Sequence, residues 1–349
     1  MTHQFLCPAN AKIYYHNGAF ELEQGGILPE LQIAYHSWGN LNATADNAVF
    51  VFHALTANSD AATWWPGMIG RDYLLNPEQY FIVCANVLGS FYGTTSPRFI
   101  HPDSGMPYGL DFPKISVRDI VKAAELLLEH LNINTLALCI GGSFGGHQAL
   151  EAAISWNIPI KHLALLACSA KETAWSIAIH ETQRMALETD PSFFRNEENA
   201  GVAGLKTARA VGLISYRTIE AYIKTQTDKE DEKMDDFRAS SYVRYQGDKL
   251  AARFHAHCYW YLTKCLDTHH IGRGRGTIES VLNGIKIPTT IIAIQGDMLI
   301  PPSEQLFMHQ HIPDSTYHEV DSAYGHDGFL IEVGQITEIL RSRWLGIIA

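Results

Sequence analysis

The chain contains 349 residues, of which 46% are hydrophobic, 18% charged and 11% aromatic. A chain of this length can bury a large core without disulfide or metal staples, and its composition excludes disordered, collagen-like and coiled-coil proteins. Acidic residues number 37 and basic residues 26, so the formal net charge is −11. Because the sequence has no local basic stripe, this charge argues against nucleic acids and anionic membranes as partners.

The sequence favours a cytoplasmic protein that uses no metal or other bound cofactor. Its first eight residues lack the basic region and apolar stretch of a secretory signal. No apolar run approaches the ~18 residues that a membrane helix needs. The six cysteines lie far apart, which is typical of reduced core thiols. The closest histidine groups, at 255/257, 269/270 and 309/311, are interpreted as surface or packing residues rather than metal ligands.

The first forty residues are predicted to form an antiparallel meander. Short β-prone segments occur at residues 12–15, 19–22 and 31–35, and turn residues separate them. The pattern then changes to continuous apolar runs, which are typical of parallel strands buried on both faces by helices. These runs cover residues 48–52, 80–84, 136–140, 163–166 and 290–294.

Helices are predicted between these strands. The clearest begins after Ser116, a good N-cap residue with Asp119 three positions later, and has apolar residues along one face. A second helix is expected after Ser143, and a third from near Phe329 to Leu340. Strand, helix and strand in this order indicate βαβ units.

Between residues 168 and 288 the strand signal disappears, and the sequence is helix-prone and charged. A helical segment of this length between two strands of one sheet is typical of an inserted lid. We therefore predict an α/β core at residues 1–170 and 277–349, with a mostly parallel sheet flanked by helices. The inserted helical lid is predicted at residues 171–276.

The most informative motif is Gly-x-Ser-x-Gly, which spans Gly141 to Gly145 and lies after a buried strand and before a helix. This is the context of a nucleophile elbow, in which a serine occupies a strained turn. Glycines two residues on either side allow the backbones there to approach closely. Glycine-rich turns also bind phosphates, so the motif alone leaves a second interpretation open.

A base and an orienting acid follow in the order that α/β-hydrolases use, Ser, Asp and His. Asp297 follows the strand at 290–294, and His326 lies in a loop before the last helix. Taken singly, Asp297 could be a turn residue and His326 an ordinary loop histidine. Together with Ser143 they predict a catalytic triad, in which His326 deprotonates the serine and Asp297 orients the imidazole.

An oxyanion hole should accompany the triad. One donor is predicted to be the Phe144 N–H, at the start of the helix after Ser143. The second is expected from the loop after an early strand, where the Leu55 N–H in His53-Ala54-Leu55-Thr56-Ala57 occupies the right place. The alternative interpretation is that this segment is only a strand end.

These segments resemble the homoserine O-acyltransferases of the α/β-hydrolase superfamily, best known as homoserine O-acetyltransferase. The similarity covers most of the chain and is far more specific than a triad alone. It is carried by His53-Ala54-Leu55-Thr56, Trp64-Trp65, Asn86-Val87-Leu88-Gly89-Ser90, Gly141 to Leu150, Ala208-Arg209, Ile214-Ser215-Tyr216-Arg217, Gly272 to Gly276 and Tyr324-Gly325-His326-Asp327.

The resemblance implies a ping-pong reaction of methionine biosynthesis. Ser143 would take an acyl group from acyl-CoA, and the side-chain hydroxyl of L-homoserine would then attack the acyl-enzyme. It further implies that Arg209 binds the carboxylate of homoserine, that Tyr216 positions it, and that Asp327 pairs with its ammonium. The family is commonly a homodimer formed through the lid. Acetyl-CoA or succinyl-CoA would be a co-substrate rather than a bound cofactor.

Departures from the family pattern at Ala57, Phe144 and residues 93–97 leave the donor, acetyl or succinyl, open. The acceptor, homoserine or serine, is also open. Two further alternatives are a serine hydrolase with the same triad and a non-catalytic binding protein, which the intact triad disfavours. Gly272 to Gly276 is expected at the return from lid to core, with Arg273 or Arg275 placed to meet CoA phosphates.

Overall fold

The structure, a computed structural model, describes residues 7–346. Most of the N-terminal stretch that we searched for a secretory signal lies outside these residues. The strands are β1 (Lys12–His16), β2 (Phe20–Glu21), β3 (Ile27–Leu28), β4 (Leu31–Trp38), β5 (Ala48–Phe52), β6 (Phe81–Ala85), β7 (Leu136–Gly142), β8 (Leu163–Leu166), β9 (Thr289–Ile294) and β10 (Ser315–Val320).

Within residues 7–346 the main sheet has eight strands in the order β1-β4-β6-β5-β7-β8-β9-β10. The six strands from β6 to β10 in this order are mutually parallel, whereas β4 is antiparallel to both of its neighbours. The predicted, mostly parallel sheet is therefore confirmed. Its chain order reverses direction at β5, next to β7, and ligand sites on open α/β sheets form at the carboxyl ends of strands near such a point.

The continuous apolar runs are explained by two separate hydrophobic cores, one on each face of the sheet. Successive side chains of a strand point to opposite faces. In β5, Phe50 and Phe52 join one core while Val49 and Val51 join the other. Helix packing covers both faces, so no position of β5, β7, β8 or β9 is exposed.

The prediction of an N-terminal antiparallel meander is only partly correct. The two longer predicted strands, β1 and β4, pair antiparallel with each other. The segment between them does not join this sheet, because Phe20–Glu21 pairs with the short strand Ile27–Leu28 in a separate two-stranded sheet. Phe20 and Leu28 are buried in the core there. The short hairpin thus packs Phe20 and Leu28 into the core instead of extending the main sheet.

The helices begin near the predicted residues. Ser116 caps α2 in a capping box with Asp119, and Ser143 immediately precedes α3. The predicted last helix is divided at Glu332. The helices are α1 (Ala61–Trp64), α2 (Val117–His130), α3 (Phe144–Ser155), α4 (Ala174–Glu188), α5 (Val202–Tyr216), α6 (Ile219–Gln226), α7 (Arg238–Ala251), α8 (Ala256–Asp267), α9 (Ile278–Gly284), α10 (Pro302–His311), α11 (Gly328–Ile331) and α12 (Val333–Trp344).

Helices α4 to α8 fall within the lid predicted from the sequence, residues 171–276, and we keep the name lid for that range. In the lid, α5 packs against both α4 and α7. The exact borders between lid and core stay a prediction. No helix in the described part of the chain is both long and apolar enough to span a membrane.

The loop Gly272 to Gly276 connects the lid to α9, as expected, and ion pairs tie it to the core. Arg273 pairs with Glu23 at 2.8 Å, and Arg275 pairs with the buried Glu151 at 2.6 Å. A carboxylate buried this deeply requires a cationic partner. Both guanidinium groups are thus engaged by carboxylates of the core, and we do not assign either to CoA phosphates.

Candidate active site

Ser143 occupies a strained turn between β7 and α3. Its backbone has φ 56° and ψ −123°, a conformation that costs a non-glycine residue on the order of 1–3 kcal/mol. The flanking glycines are needed for space. A Cβ on Gly145 would collide with the carbonyl oxygen of Phe52 in β5, and a Cβ on Gly141 would collide with the carbonyl of Gly145. The geometry is that of the nucleophile elbow predicted from the sequence.

The three residues of the predicted triad lie together although they are far apart in the sequence. The Ser143 hydroxyl is 2.6 Å from Nε2 of His326, and Nδ1 of His326 is 2.6 Å from Oδ2 of Asp297. The other carboxylate oxygen of Asp297 accepts hydrogen bonds from the backbone N–H groups of Leu299 and Ile300. This arrangement fixes Nδ1 as the protonated nitrogen, which leaves Nε2 free to accept the serine proton.

The environment of His326 favours its protonated form. Burial by itself lowers the pKa of this imidazole, but the charge and hydrogen bond of Asp297, together with the charges of Asp327 and Glu172, raise the pKa above the ordinary value. The imidazolium that forms when Ser143 loses its proton is thereby stabilised. His326 can accept that proton in one step and return it in the next.

Ser143 opens into a cavity of about 330 Å³, a size suited to a small-molecule substrate. Leu55 and Phe144, the two predicted oxyanion donors, line this cavity. The Phe144 N–H is the first of α3, so it has no partner within the helix and lies at the positive end of the helix dipole. The assignment of these two N–H groups as oxyanion donors stays a prediction.

The three predicted substrate-binding residues line the same cavity. The guanidinium of Arg209 lies over the ring of Tyr216, 5.5 Å from its centroid, and that ring is 5.9 Å from the ring of His326. Arg209 has no carboxylate within 4 Å in the described part of the chain. Asp327 is different, because it accepts a hydrogen bond of 3.2 Å from Nε of Arg217.

Four ionisable side chains of the cavity were not predicted: His147, Glu172, His180 and Arg253. Two of them carried a usable signal. His147 lies four residues after Ser143 on α3, and therefore on the same helix face. Glu172 follows β8, the strand next to β7, at the same edge of the sheet. His180 and Arg253 lie further into the lid, and sequence spacing does not predict where the lid helices lie over the sheet.

His147 and Glu172, which both line the cavity, form a buried pair of polar side chains. Nδ1 of His147 lies 3.8 Å from Oε2 of Glu172, and both side chains are almost fully buried. Burial lowers the pKa of His147 well below its usual value and raises the pKa of Glu172. Within residues 7–346 no cluster of three or more His, Cys, Asp or Glu side chains is arranged to hold a metal ion.

The chain was compared with known protein families and curated sequences. Residues 47–333 match the family model of the α/β hydrolase fold. A homoserine O-acetyltransferase from Cyclobacterium marinum is 45% identical over 334 residues, and the alignment covers 96% of this chain and 95% of the relative. Similarity of this extent reaches both the core and the lid.

Solved structures show the same fold. A homoserine O-acetyltransferase from Bacillus anthracis superposes with a TM-score of 0.88 at 21% identity, covering 96% of this chain and 97% of that one. Esterase E22 superposes with the same TM-score at 22% identity, covering 96% of this chain and 100% of that one. At these identities, the superpositions establish the α/β-hydrolase fold of the chain and no more.

We expect Asp297→Asn to shift the pH dependence of acyl transfer to lower pH. The carboxylate raises the pKa of His326, and only the neutral imidazole accepts a proton, so in the native protein activity falls as pH drops through a pKa above 6.5. Without that charge the midpoint moves down, while the rate falls by about 10⁴-fold. Turnover of p-nitrophenyl acetate between pH 5 and 9 measures both effects.

The matched control is Asp321→Asn, an exposed aspartate in the same loop as His326. Its profile should coincide with that of the native protein. An Asp297→Asn profile with an unshifted midpoint would show that Asp297 does not set the protonation of His326.

Proposed function

Because this chain belongs to the homoserine O-acetyltransferase family of the α/β hydrolase fold, we propose that it transfers an acetyl group from acetyl-CoA to the side-chain hydroxyl of L-homoserine. The observation that carries this proposal is the Ser143–His326–Asp297 hydrogen-bonded chain, which opens into a cavity that also contains an unpaired guanidinium. The acyl-accepting serine and a group that can bind an anion therefore line the same cavity.

In the first half-reaction, the Ser143 oxygen attacks the thioester carbonyl while its proton moves to Nε2 of His326. The carbonyl oxygen becomes an oxyanion, which the N–H groups of Leu55 and Phe144 stabilise. When this intermediate collapses, the C–S bond breaks and His326 returns the proton to the leaving sulfur. CoA departs as a thiol, and the acetyl group remains on Ser143.

In the second half-reaction, the hydroxyl of homoserine attacks the acetyl-serine, and its proton moves to His326. Collapse of the second intermediate breaks the bond to Ser143, whose oxygen takes the proton back. Arg209 would clamp the carboxylate of homoserine through two parallel hydrogen bonds, with Tyr216 packed against it. We assign the ammonium to Asp327, which would then share its carboxylate between substrate and Arg217.

The reaction needs no bound cofactor in this proposal, since acetyl-CoA enters and leaves as a co-substrate. O-acetylhomoserine would feed methionine biosynthesis, as the family resemblance implies. We further propose a cytoplasmic location, where acetyl-CoA is available. The six free cysteines, five of them buried, support a reducing compartment.

The decisive experiment measures CoA release from acetyl-CoA with and without L-homoserine. We expect release that depends on homoserine and disappears in Ser143→Ala, with a loss on the order of 10⁶-fold in kcat. Parallel reactions with succinyl-CoA and with L-serine test the donor and the acceptor. Equal release without any acceptor would identify a hydrolase, and no release from any thioester or ester would identify a binding protein.

Arg209→Ala should separate the two half-reactions. Acetylation of Ser143 by acetyl-CoA does not require the amino-acid carboxylate, so it should proceed at the native rate. Use of homoserine should fall by about 10²-fold, because a charge-assisted bidentate contact is lost. Single-turnover acetylation followed by mass spectrometry, together with steady-state kinetics, measures the two steps. Equal losses in both steps would contradict the carboxylate assignment.

We also propose that the chain forms a homodimer through its lid. Ile214, Ile219 and Ile223 on α5 and α6 are each 59–65% exposed. Several exposed apolar residues on consecutive helices favour a protein interface. Sedimentation velocity should give about twice the 38.9 kDa chain mass, and Ile219→Asp with Ile223→Asp should give the monomer. The matched control is Ile331→Asp, which replaces an exposed isoleucine on α11, outside the lid, and should leave the dimer intact. A monomeric native protein would overturn the proposal.

A further inference from the structure

The segment that carries the Leu55 N–H is a tight turn, which we call the oxyanion loop and define as residues 53–58. The N–H of Ala57 donates to the carbonyl of Ala54 at 3.0 Å, so Leu55 and Thr56 are the two central residues of a β-turn. A turn of this kind can rotate its peptide planes with little change elsewhere. The direction of the Leu55 N–H therefore depends on what holds the carbonyl groups of the turn.

The core holds one end of the oxyanion loop through His53. The Val87 N–H donates to Nε2 of this fully buried histidine at 3.1 Å, so the ring proton lies on Nδ1, which donates to the Ala54 carbonyl at 2.8 Å. Burial lowers the pKa of His53 to about 4, which keeps the ring neutral. Since the Ala54 carbonyl and the Leu55 N–H share one planar peptide unit, this contact orients the donor.

The lid holds the other end. Nη1 of Arg253, between α7 and α8, donates to the Thr56 carbonyl at 2.5 Å. The same nitrogen donates to the hydroxyl of Tyr92, which in turn lies 3.5 Å from the Thr56 carbonyl. In the described part of the chain Arg253 has no carboxylate within 4 Å, although the protein carries a net charge of −11.

We propose that Arg253 is a positioning residue that holds the oxyanion loop in its productive conformation from the lid side. This inference rests on the acyl transfer proposed above. The guanidinium fixes the second central residue of the turn, while His53 fixes the carbonyl at its start. With both ends held, the Leu55 N–H stays directed at the developing oxyanion and needs no rearrangement during the reaction.

The uncompensated charge of Arg253 has a second consequence. Arg253 lines the same cavity as Ser143, so a positive charge stands near the place where the thioester carbonyl becomes negative. The interaction between two charges is stronger in a cavity with a low dielectric constant than in water. The lid thus contributes to both half-reactions, because each passes through an oxyanion at the same two N–H groups.

The test uses Arg253→Met, which keeps the length of the side chain and removes its donors and charge. We expect kcat to fall by about 10- to 100-fold, the range for losing a charge-assisted hydrogen bond. The loss should be the same for acetyl-CoA with homoserine and for p-nitrophenyl acetate, which needs neither CoA nor homoserine. The KM values for acetyl-CoA and homoserine should change by no more than about 2-fold, as for loss of an interaction made only in the transition state.

Conservative variants and a matched control extend the test. Arg253→Lys should recover part of the rate, and methylguanidinium should partly restore Arg253→Ala. Arg195→Met removes an exposed lid arginine that pairs with Glu197 at 3.8 Å, and should behave as the native protein. If Arg253→Met fails to fold, Tyr92→Phe removes the second hydrogen-bonding group at the turn and should reproduce the kcat effect in weaker form.

The result that would overturn the inference is a rise in the KM for acetyl-CoA with unchanged turnover of p-nitrophenyl acetate. Arg253 would then bind the CoA portion of the donor rather than hold the loop. Native rates in Arg253→Met with both acyl donors would also overturn it. Failure of the native protein itself to acetylate Ser143 would instead contradict the proposed function, so the two outcomes are distinguishable.

Discussion

The site is arranged around the strained backbone of Ser143. This residue, with its positive φ, ends β7 abruptly and presents its hydroxyl at the edge of the sheet. At the same edge, the segments that follow β5, β8 and β9 contain the oxyanion loop, Glu172 and Asp297, respectively. Close backbone approach is the condition for this turn, which explains why glycine is required at positions 141 and 145.

The sequence predicted those parts of the molecule that depend on local patterns. Strands buried on both faces gave unbroken apolar runs, and Ser116 with Asp119 marked the start of α2. The triad was predictable because its motif and chain order are specific to one fold. Patterns of this kind do not report long-range pairing. The partner of Phe20–Glu21, the break at Glu332 and the contact of Arg253 with Thr56 all depend on elements distant in the sequence.

The net charge of this protein is negative, whereas its cavity contains two arginines without a carboxylate partner in the described part of the chain. The chain carries −11 overall, a charge that repels anions at long range. Among residues 7–346, Arg209 and Arg253 of the cavity have no carboxylate partner, whereas Arg273 and Arg275 at the return from the lid each pair with one. Screening weakens the long-range field at physiological salt, and buried contacts are screened much less. Of these two guanidinium groups, we propose that Arg209 meets the anionic group of the substrate, while Arg253 holds the oxyanion loop.

Core and lid contribute different groups to the site, which can explain why one fold catalyses different acyl reactions. The core supplies the nucleophile, its base and one oxyanion donor at the start of α3, and this much would suffice for ester hydrolysis. The lid supplies Arg209, Tyr216 and Arg253, which would select an amino-acid acceptor and hold the second donor. An esterase that superposes on this chain with a TM-score of 0.88 shares the fold across almost its whole length. Because a shared fold does not decide function, we propose that a few lid side chains that reach the cavity set the acyl acceptor of this protein.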